Sequence, residues 1–196
     1  LGADVDIIPG IYFHWVNDTA LSDLYYSCLD YDWNENGNDS VAEPLAYGDT
    51  VDYYPEVIVG RIPCGNSAEA AAVINKIYAY ESDTTHMDYQ DEVLVFSSKL
   101  FEENDGLEMN QRFVDSLPGH LSATQRYDIG TDALQSDFGS GYGILINNSH
   151  AQNASTFVTR YESDQDIYNC DDVDSMPNMG EYGVFLNYTC YANQLN

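Results

Sequence analysis

Short apolar, β-branched runs alternate along this chain with segments whose apolar residues recur at helical spacing, and that alternation leaves few architectures open. Residues 56–62 (EVIVGRI) form the first run, closed by Pro63, and residues 92–97 (EVLVFS) form the second. Between them Asn66 or Ser67 caps a helix, with Glu69 in its first turn and Ala70, Val73, Ile74, Ile77 and Tyr80 repeating along it. Residues 107–117 predict a second helix through Met109, Phe113 and Leu117, stopped by Pro118 and Gly119. A weaker strand follows near 124–127, and Thr131 opens a short helix carrying Ala133, Leu134 and Phe138 that ends in glycines at 139, 141 and 143. Residues 142–147 (YGILIN) and 182–189 (YGVFLNYT) complete the set. Strands separated by helices of this length predict an α/β fold, with a mainly parallel sheet covered on both faces and right-handed crossovers.

In such sheets the working residues stand at the carboxyl ends of the strands. The last two runs each end in a polar stretch and then a chemically capable side chain, His150 and Cys190. A cysteine nucleophile needs a base or cation nearby to raise its thiolate fraction, and histidine is the usual supplier. If the runs at 142–147 and 182–189 are neighbouring parallel strands, the two side chains emerge together. Read singly, Cys190 is a buried structural thiol or half of a disulfide before it is a nucleophile, and His150 a loop residue bonded to backbone. The other cysteines, Cys28, Cys64 and Cys170, show no CxxC spacing, so a zinc cluster or a thioredoxin-type motif is not expected.

Residues 55–63 (PEVIVGRIP), followed by an Ala-rich helix that ends at 77–81 (IYAYE), resemble a signature of the gingipain-type peptidases. Residues 6–9 (DIIP) and 22–26 (SDLYY) resemble further segments of the same family, and 144–150 and 184–190 resemble the strands that lead to its catalytic histidine and cysteine. The resemblance implies a caspase-like three-layer sandwich, a partial peptidase domain over residues 1–196 that is incomplete at both chain ends, and a cysteine endopeptidase whose chemistry uses no metal. It implies that Cys190 attacks the scissile carbonyl while His150 assists proton transfer to the leaving amine. The triplet Ser149-His150-Ala151 stands where the family usually reads Gly-His-Gly, and Thr189 precedes the cysteine where a small alanine is usual.

A second motif is independent of that chemistry. Asp32, Asn34, Asn36, Gly37 and Glu43 fit D-x-[DN]-x-[DN]-G-x5-E, with glycine at loop position six and a carboxylate at position twelve. Oxygen side chains on alternate residues converge on one hard cation, and Gly37 permits the sharp turn. The expectation is a structural calcium loop over 30–43, with a backbone carbonyl from Asn38 and Asp30 as an extra ligand. The other reading of the motif is an Asn/Gly-rich surface turn. An acidic group, Glu102, Glu103, Asp105 and Glu108, follows the run at 92–97; it reads first as a solvated loop, and otherwise as a place where a buried carboxylate would favour Arg or Lys before the cut.

Charge bounds the partners. Six Lys and Arg against 33 Asp and Glu give a net charge of −27, which repels phosphate backbones and anionic lipid. Nucleic acid is therefore excluded, and with no apolar run near the roughly 18 residues of a span, so is membrane insertion. Residues 1–10 lack the basic flank and long apolar stretch of a signal peptide. Sequons at Asn17, Asn38, Asn147, Asn153 and Asn187, together with the acidity and the calcium-type loop, point to a secreted or cell-surface protein. The expected partners are a protein or peptide substrate and the remainder of a precursor or a neighbouring subunit that covers open sheet edges. Two functions share this fold: a calcium-stabilised cysteine endopeptidase, and a catalytically inactive relative serving as a surface, adhesion or assembly module.

Overall fold

The computed structural model describes residues 10–13, 18–21, 23–38, 42–43, 46, 48–50, 52, 54–62, 64–82, 87–151, 156–161, 165–176 and 180–189. The chain divides into two compact units, Leu1–Asn75 with Leu195–Asn196, and Lys76–Gln194.

The first unit opens with an antiparallel pair, β1 (Gly10–Phe13) and β2 (Asp18–Leu21), and a single helical turn, α1 (Leu24–Ser27). Its small core consists of Cys28, Trp33 and Ala42 with Leu24 against them, and Tyr25 meets the Trp33 ring edge-on at 5.6 Å. The run at 56–62 belongs here, and it is not a strand. Its first two amides, on Glu56 and Val57, donate to the Ser27 carbonyl at 3.0 and 3.3 Å, and Arg61 is bonded through Nε to the Asp23 carboxylate at 2.9 Å. Those local bonds replace a sheet ladder, and Ile58 is left 102 % exposed. A β-branched run is a strand only where a neighbouring backbone is present to pair with it.

Helix α2 (Ser67–Ser82) crosses the division between the units. Asn66 caps it, since its Oδ1 accepts from the amides of Ala68 and Glu69 at 3.0 Å each, while Glu69 reaches back to the amide of Gly65 at 2.7 Å. The apolar stripe seen in the sequence is only partly covered: Ile74 and Ile77 are exposed.

The second unit holds the parallel sheet. Its strands are β3 (Glu92–Ser97), β4 (Ser122–Tyr127), β5 (Ile144–Asn148) and, last in the chain, β8 (Val184–Tyr188), in the order β4-β3-β5-β8 with every pairing parallel. Helices α3 (Asp105–Ser116) and α4 (Thr131–Phe138) fall where the apolar spacing predicts them. Alternation along β3 sends Val93 and Val95, with Ile146 of β5, toward Phe113, Val114 and Leu117 at α3. Leu94 and Phe96 point the other way, into a cluster with Leu134 and Phe138 of α4. The central strand is thus buried on both faces, which is why it reads as an uninterrupted apolar run.

That second face is completed by an antiparallel pair that the apolar spacing does not predict, β6 (Phe157–Arg160) and β7 (Asp166–Tyr168), before a short helix α5 (Cys170–Asp174). Phe157 and Tyr168 face each other in register and stack at 5.2 Å over Phe96 and Phe138. Two segments this short carry too little alternation to announce themselves. A mixed α/β unit with a parallel four-stranded sheet between helical layers has the arrangement of a caspase-like fold.

One polar pair lies inside the sheet. Asn147 is fully buried, and its Nδ2 donates to Oδ1 of Asn187 on the adjacent strand at 2.7 Å. The sequon at Asn147 is therefore an element of sheet packing, whereas Asn38 is exposed.

Candidate functional site

Strands β5 and β8 are neighbours, and their register pairs Asn147 with Asn187 and Asn148 with Tyr188. Both chains leave the sheet at the same end. His150 stands two residues past β5; on the other side Thr189 follows β8, and the next residue, Cys190, lies outside the described residues. The neighbouring strand β3 leaves at this end too, because Ser97 pairs with Asn148. Three strands thus deliver Ser98, Ser149 and Thr189 side by side, one step beyond the last paired row.

These three hydroxyls share a property that a finished core would not have. Ser98 and Ser149 are buried, Thr189 is half-buried, and the Oγ atoms of Ser98 and Ser149 and the Oγ1 of Thr189 are enclosed with no hydrogen-bond partner among the described residues. Buried polar atoms are nearly always satisfied by protein or by water, so a row of unsatisfied ones marks a place where water or a polar group belongs.

His150 is anchored at both its backbone and its ring. Its carbonyl accepts from the amide of Val158 at 2.7 Å, which ties the residue to the start of β6. Its Nε2 lies 2.5 Å from the Leu100 carbonyl oxygen. Phe101 meets the imidazole edge-on and Tyr161 at a tilt, each with ring centroids 5.4 Å away. His150 is thus a loop residue bonded to backbone through both its carbonyl and its ring.

The acidic group after β3 does not behave as one solvated cluster. Glu102, Glu103 and Glu108 are exposed, but the carboxylate of Asp105 turns inward and accepts from the amides of Leu100, Phe101 and Glu102 at 2.9, 2.6 and 2.8 Å. Burial opposes its charge, yet the amides of Glu102, Leu100, Phe101 and Gly106 outweigh burial and pull its pKa down to about 2. Close approach at this turn needs glycine at 106, where a Cβ would stand 2.2 Å from the Ser98 carbonyl oxygen. Sequence reasoning missed the roles of Leu100 and Asp105: Leu100 acts through its backbone, and Asp105 is indistinguishable by type from the many other acids of so acidic a chain.

In the first unit the calcium-type loop is folded about Gly37, whose φ is +68°. Asp32 Oδ1 accepts from the Asn34 amide at 3.0 Å, and Asn34 Nδ2 donates to the Asn38 carbonyl at 2.9 Å. Asn36 and Asn38 bring their side-chain amides to Oε2 of Glu43 at 3.1 and 2.6 Å. Glu43 itself is only 8 % exposed, and Oδ1 of Asn34 is enclosed without a partner among the described residues. A further acid comes in from outside the twelve-residue pattern: Asp49 is fully buried, and its carboxylate accepts from the amides of Glu43 at 2.9 Å and Asn36 at 3.4 Å. N–H donors surround both carboxylates, so the groups that suit a hard cation are the two enclosed carboxylates themselves and the enclosed Oδ1 of Asn34, since burying anions without a counter-charge is costly. Asp30 stands apart from this set, with a carboxylate oxygen within 4.8 Å of the Cys28 sulfur and the Glu56 carboxylate.

No helix among the described residues is long and apolar enough to cross a membrane. No curated protein matches the chain closely enough to count as a relative. The family model described as peptidase family C25 matches residues 2–196, nearly the whole sequence. With a parallel sheet whose two carboxyl-terminal edges converge on His150 and the segment before Cys190, the chain belongs to peptidase family C25, the gingipain family of cysteine peptidases.

Proposed function

We propose that this protein is a secreted, calcium-stabilised cysteine endopeptidase that cleaves peptide bonds in proteins or peptides with a dyad of Cys190 and His150. The observation that carries the reading is the parallel pairing of β5 with β8, because it makes neighbours of the strands that lead to these residues. The Cys190 thiolate attacks the scissile carbonyl carbon, and the imidazole of His150 passes the thiol proton to the departing amine as the carbon–nitrogen bond breaks. Water then hydrolyses the thioester and frees the thiol. The amide of Ala151 is the candidate donor to the oxyanion.

Treatment of culture medium containing the protein with an irreversible thiol-reactive peptide tests both export and chemistry. Labelling is expected at Cys190 and not at Cys28, a buried free thiol, and it is expected to disappear in His150→Ala. Equal labelling of the His150→Ala protein, or none in either, would favour the inactive surface or assembly module.

Asp32, Asn34, Asn36 and Glu43, with the Asn38 carbonyl, are proposed to hold one structural calcium ion; Asp49 supplements them from inside, and Asp30 is an outer candidate. Support comes from the enclosed carboxylates of Glu43 and Asp49.

A further partner is the remainder of a precursor or a neighbouring subunit, pairing along β8. That strand is the last in the sheet among the described residues, and Val184, Phe185, Leu186 and Tyr188 are all more than 40 % exposed on it. An apolar edge of this kind is a template for another strand. Sedimentation of the 196-residue chain is expected to show association, with amide exchange at β8 slowed as it assembles. A monomer whose β8 amides are already protected would remove this partner.

A further inference from the structure

We propose that Asp105 is a positioning residue for His150: by clamping the turn at 100–102 it aims the Leu100 carbonyl at Nε2 and leaves Nδ1 as the nitrogen available to a thiol. The proposal rests on the peptidase reading above, and it deepens it by assigning the tautomer.

The geometry begins with one carboxylate and successive amides. Oδ1 of Asp105 accepts from Leu100, and Oδ2 from Phe101 and Glu102, so all three N–H groups at the start of the turn converge on one anion. The Leu100 carbonyl and the Phe101 amide belong to one planar trans peptide group and point in opposite directions. Binding the Phe101 N–H on one side therefore directs the Leu100 oxygen to the other, and that is where Nε2 of His150 lies, at 2.5 Å. A carbonyl oxygen can only accept, so Nε2 carries the proton of this bond. In the neutral ring the lone pair is then on Nδ1.

Further features keep the turn in place. The Asn104 amide donates to the Tyr127 hydroxyl at 3.1 Å, Asn104 itself holds a φ of +67°, and Gly106 lets the helix start lie against Ser98. The Phe101 ring, edge-on to the imidazole, limits its rotation. Asp105 keeps its charge throughout any neutral or mildly acidic range, so the clamp does not release as other groups titrate. Its role is to hold a second group, and it touches no reacting atom.

The test uses the full chain with ¹⁵N-labelled histidine, comparing wild type, Asp105→Asn and Asp105→Glu. Side-chain nitrogen spectra report which ring nitrogen bears the proton, and His150→Gln identifies the His150 signal among the four histidines. Wild type is expected to show His150 protonated at Nε2 alone, and both variants a mixture of tautomers. With a peptide substrate, kcat is expected to fall about 10- to 100-fold with KM little changed, as a small misplacement of a catalytic group does. Asp105→Glu retains the charge and separates misplacement from loss of folding, and far-ultraviolet circular dichroism of each variant checks the fold. Unchanged tautomer in folded Asp105→Asn would overturn the proposal whether or not the protein cleaves peptides. A wild-type Nδ1–H tautomer would overturn it as well. A failure to cleave peptides with the expected tautomers would overturn only the peptidase reading.

Discussion

His150→Ala and Cys190→Ser are each expected to lower kcat/KM for a peptide substrate by on the order of 10,000-fold or more, and the double variant is expected to lose little beyond either single change. The non-additivity follows from the chemistry. Without the imidazole the thiol keeps its proton, and without the sulfur the imidazole has nothing to activate, so either loss disables one shared step. Folding should survive the loss of the imidazole, because His150 is only half-buried and its backbone bond to Val158 does not involve the ring, and Cys190→Ser exchanges a single atom. Steady-state assays with matched circular dichroism decide the point. Variants that retain a tenth of wild-type activity would remove the dyad, and multiplicative losses would mean that the two residues act in separate steps.

Chelation of calcium is expected to lower the melting temperature by roughly 5 to 10 °C, taking about 2.7 kcal/mol for an ion at a hundred times its dissociation constant and roughly 2 to 4 °C per kcal/mol for a chain of this size. The proposed cause lies in the loop of the first unit. Glu43 and Asp49 are enclosed within a few residues of each other, and without a cation their like charges are held together by amides alone. Glu43→Gln should therefore melt at the same temperature with and without chelator, since the ligand at the twelfth loop position is gone. Asp49→Asn is expected to weaken calcium binding as well, although it lies beyond the loop pattern. A melting temperature unmoved by excess chelator would remove the ion from this account, whatever the fate of the peptidase site.

Much of the architecture is written in the apolar spacing. Residues 92–97 read as a strand because both faces of β3 are covered, and Met109, Phe113 and Leu117 read as a helix because one side of α3 must meet Val93 and Val95. The adjacency of β5 and β8 is also legible, through the common pattern of an apolar run ending near a reactive residue. Residues 56–62 mislead for a reason of the same kind: their composition suits a ladder, and composition does not say whether a neighbour is present. The pair β6 and β7 fails in the opposite sense, since Phe157 and Tyr168 matter by meeting across the hairpin, a relation that no local window contains.

The site divides along similar lines. The side chains proposed to act by their own chemistry, His150, Cys190 and the loop oxygens, are candidates that residue type and spacing alone put forward. The Leu100 carbonyl cannot, because every residue offers the same atom and only the surroundings differ. Asp105 differs from Glu102 and Glu103 chiefly in which backbone amides lie before it, and those are set by the turn.

The buried amide pair between Asn147 and Asn187 has its own consequence for how the two site strands find each other. If β8 slid by a single position along β5, its alternation would carry the Asn187 side chain to the opposite face. The Asn147 amide would then be left inside the sheet with nothing to bind, at a cost of about 1 to 3 kcal/mol. The same slip would turn Phe185 away from Phe96 and Phe157, so the amide contact reinforces a register that the apolar alternation also favours. A single amide contact thus works as a vernier, making one alignment of the strands that precede the histidine and the cysteine distinct from those a residue to either side.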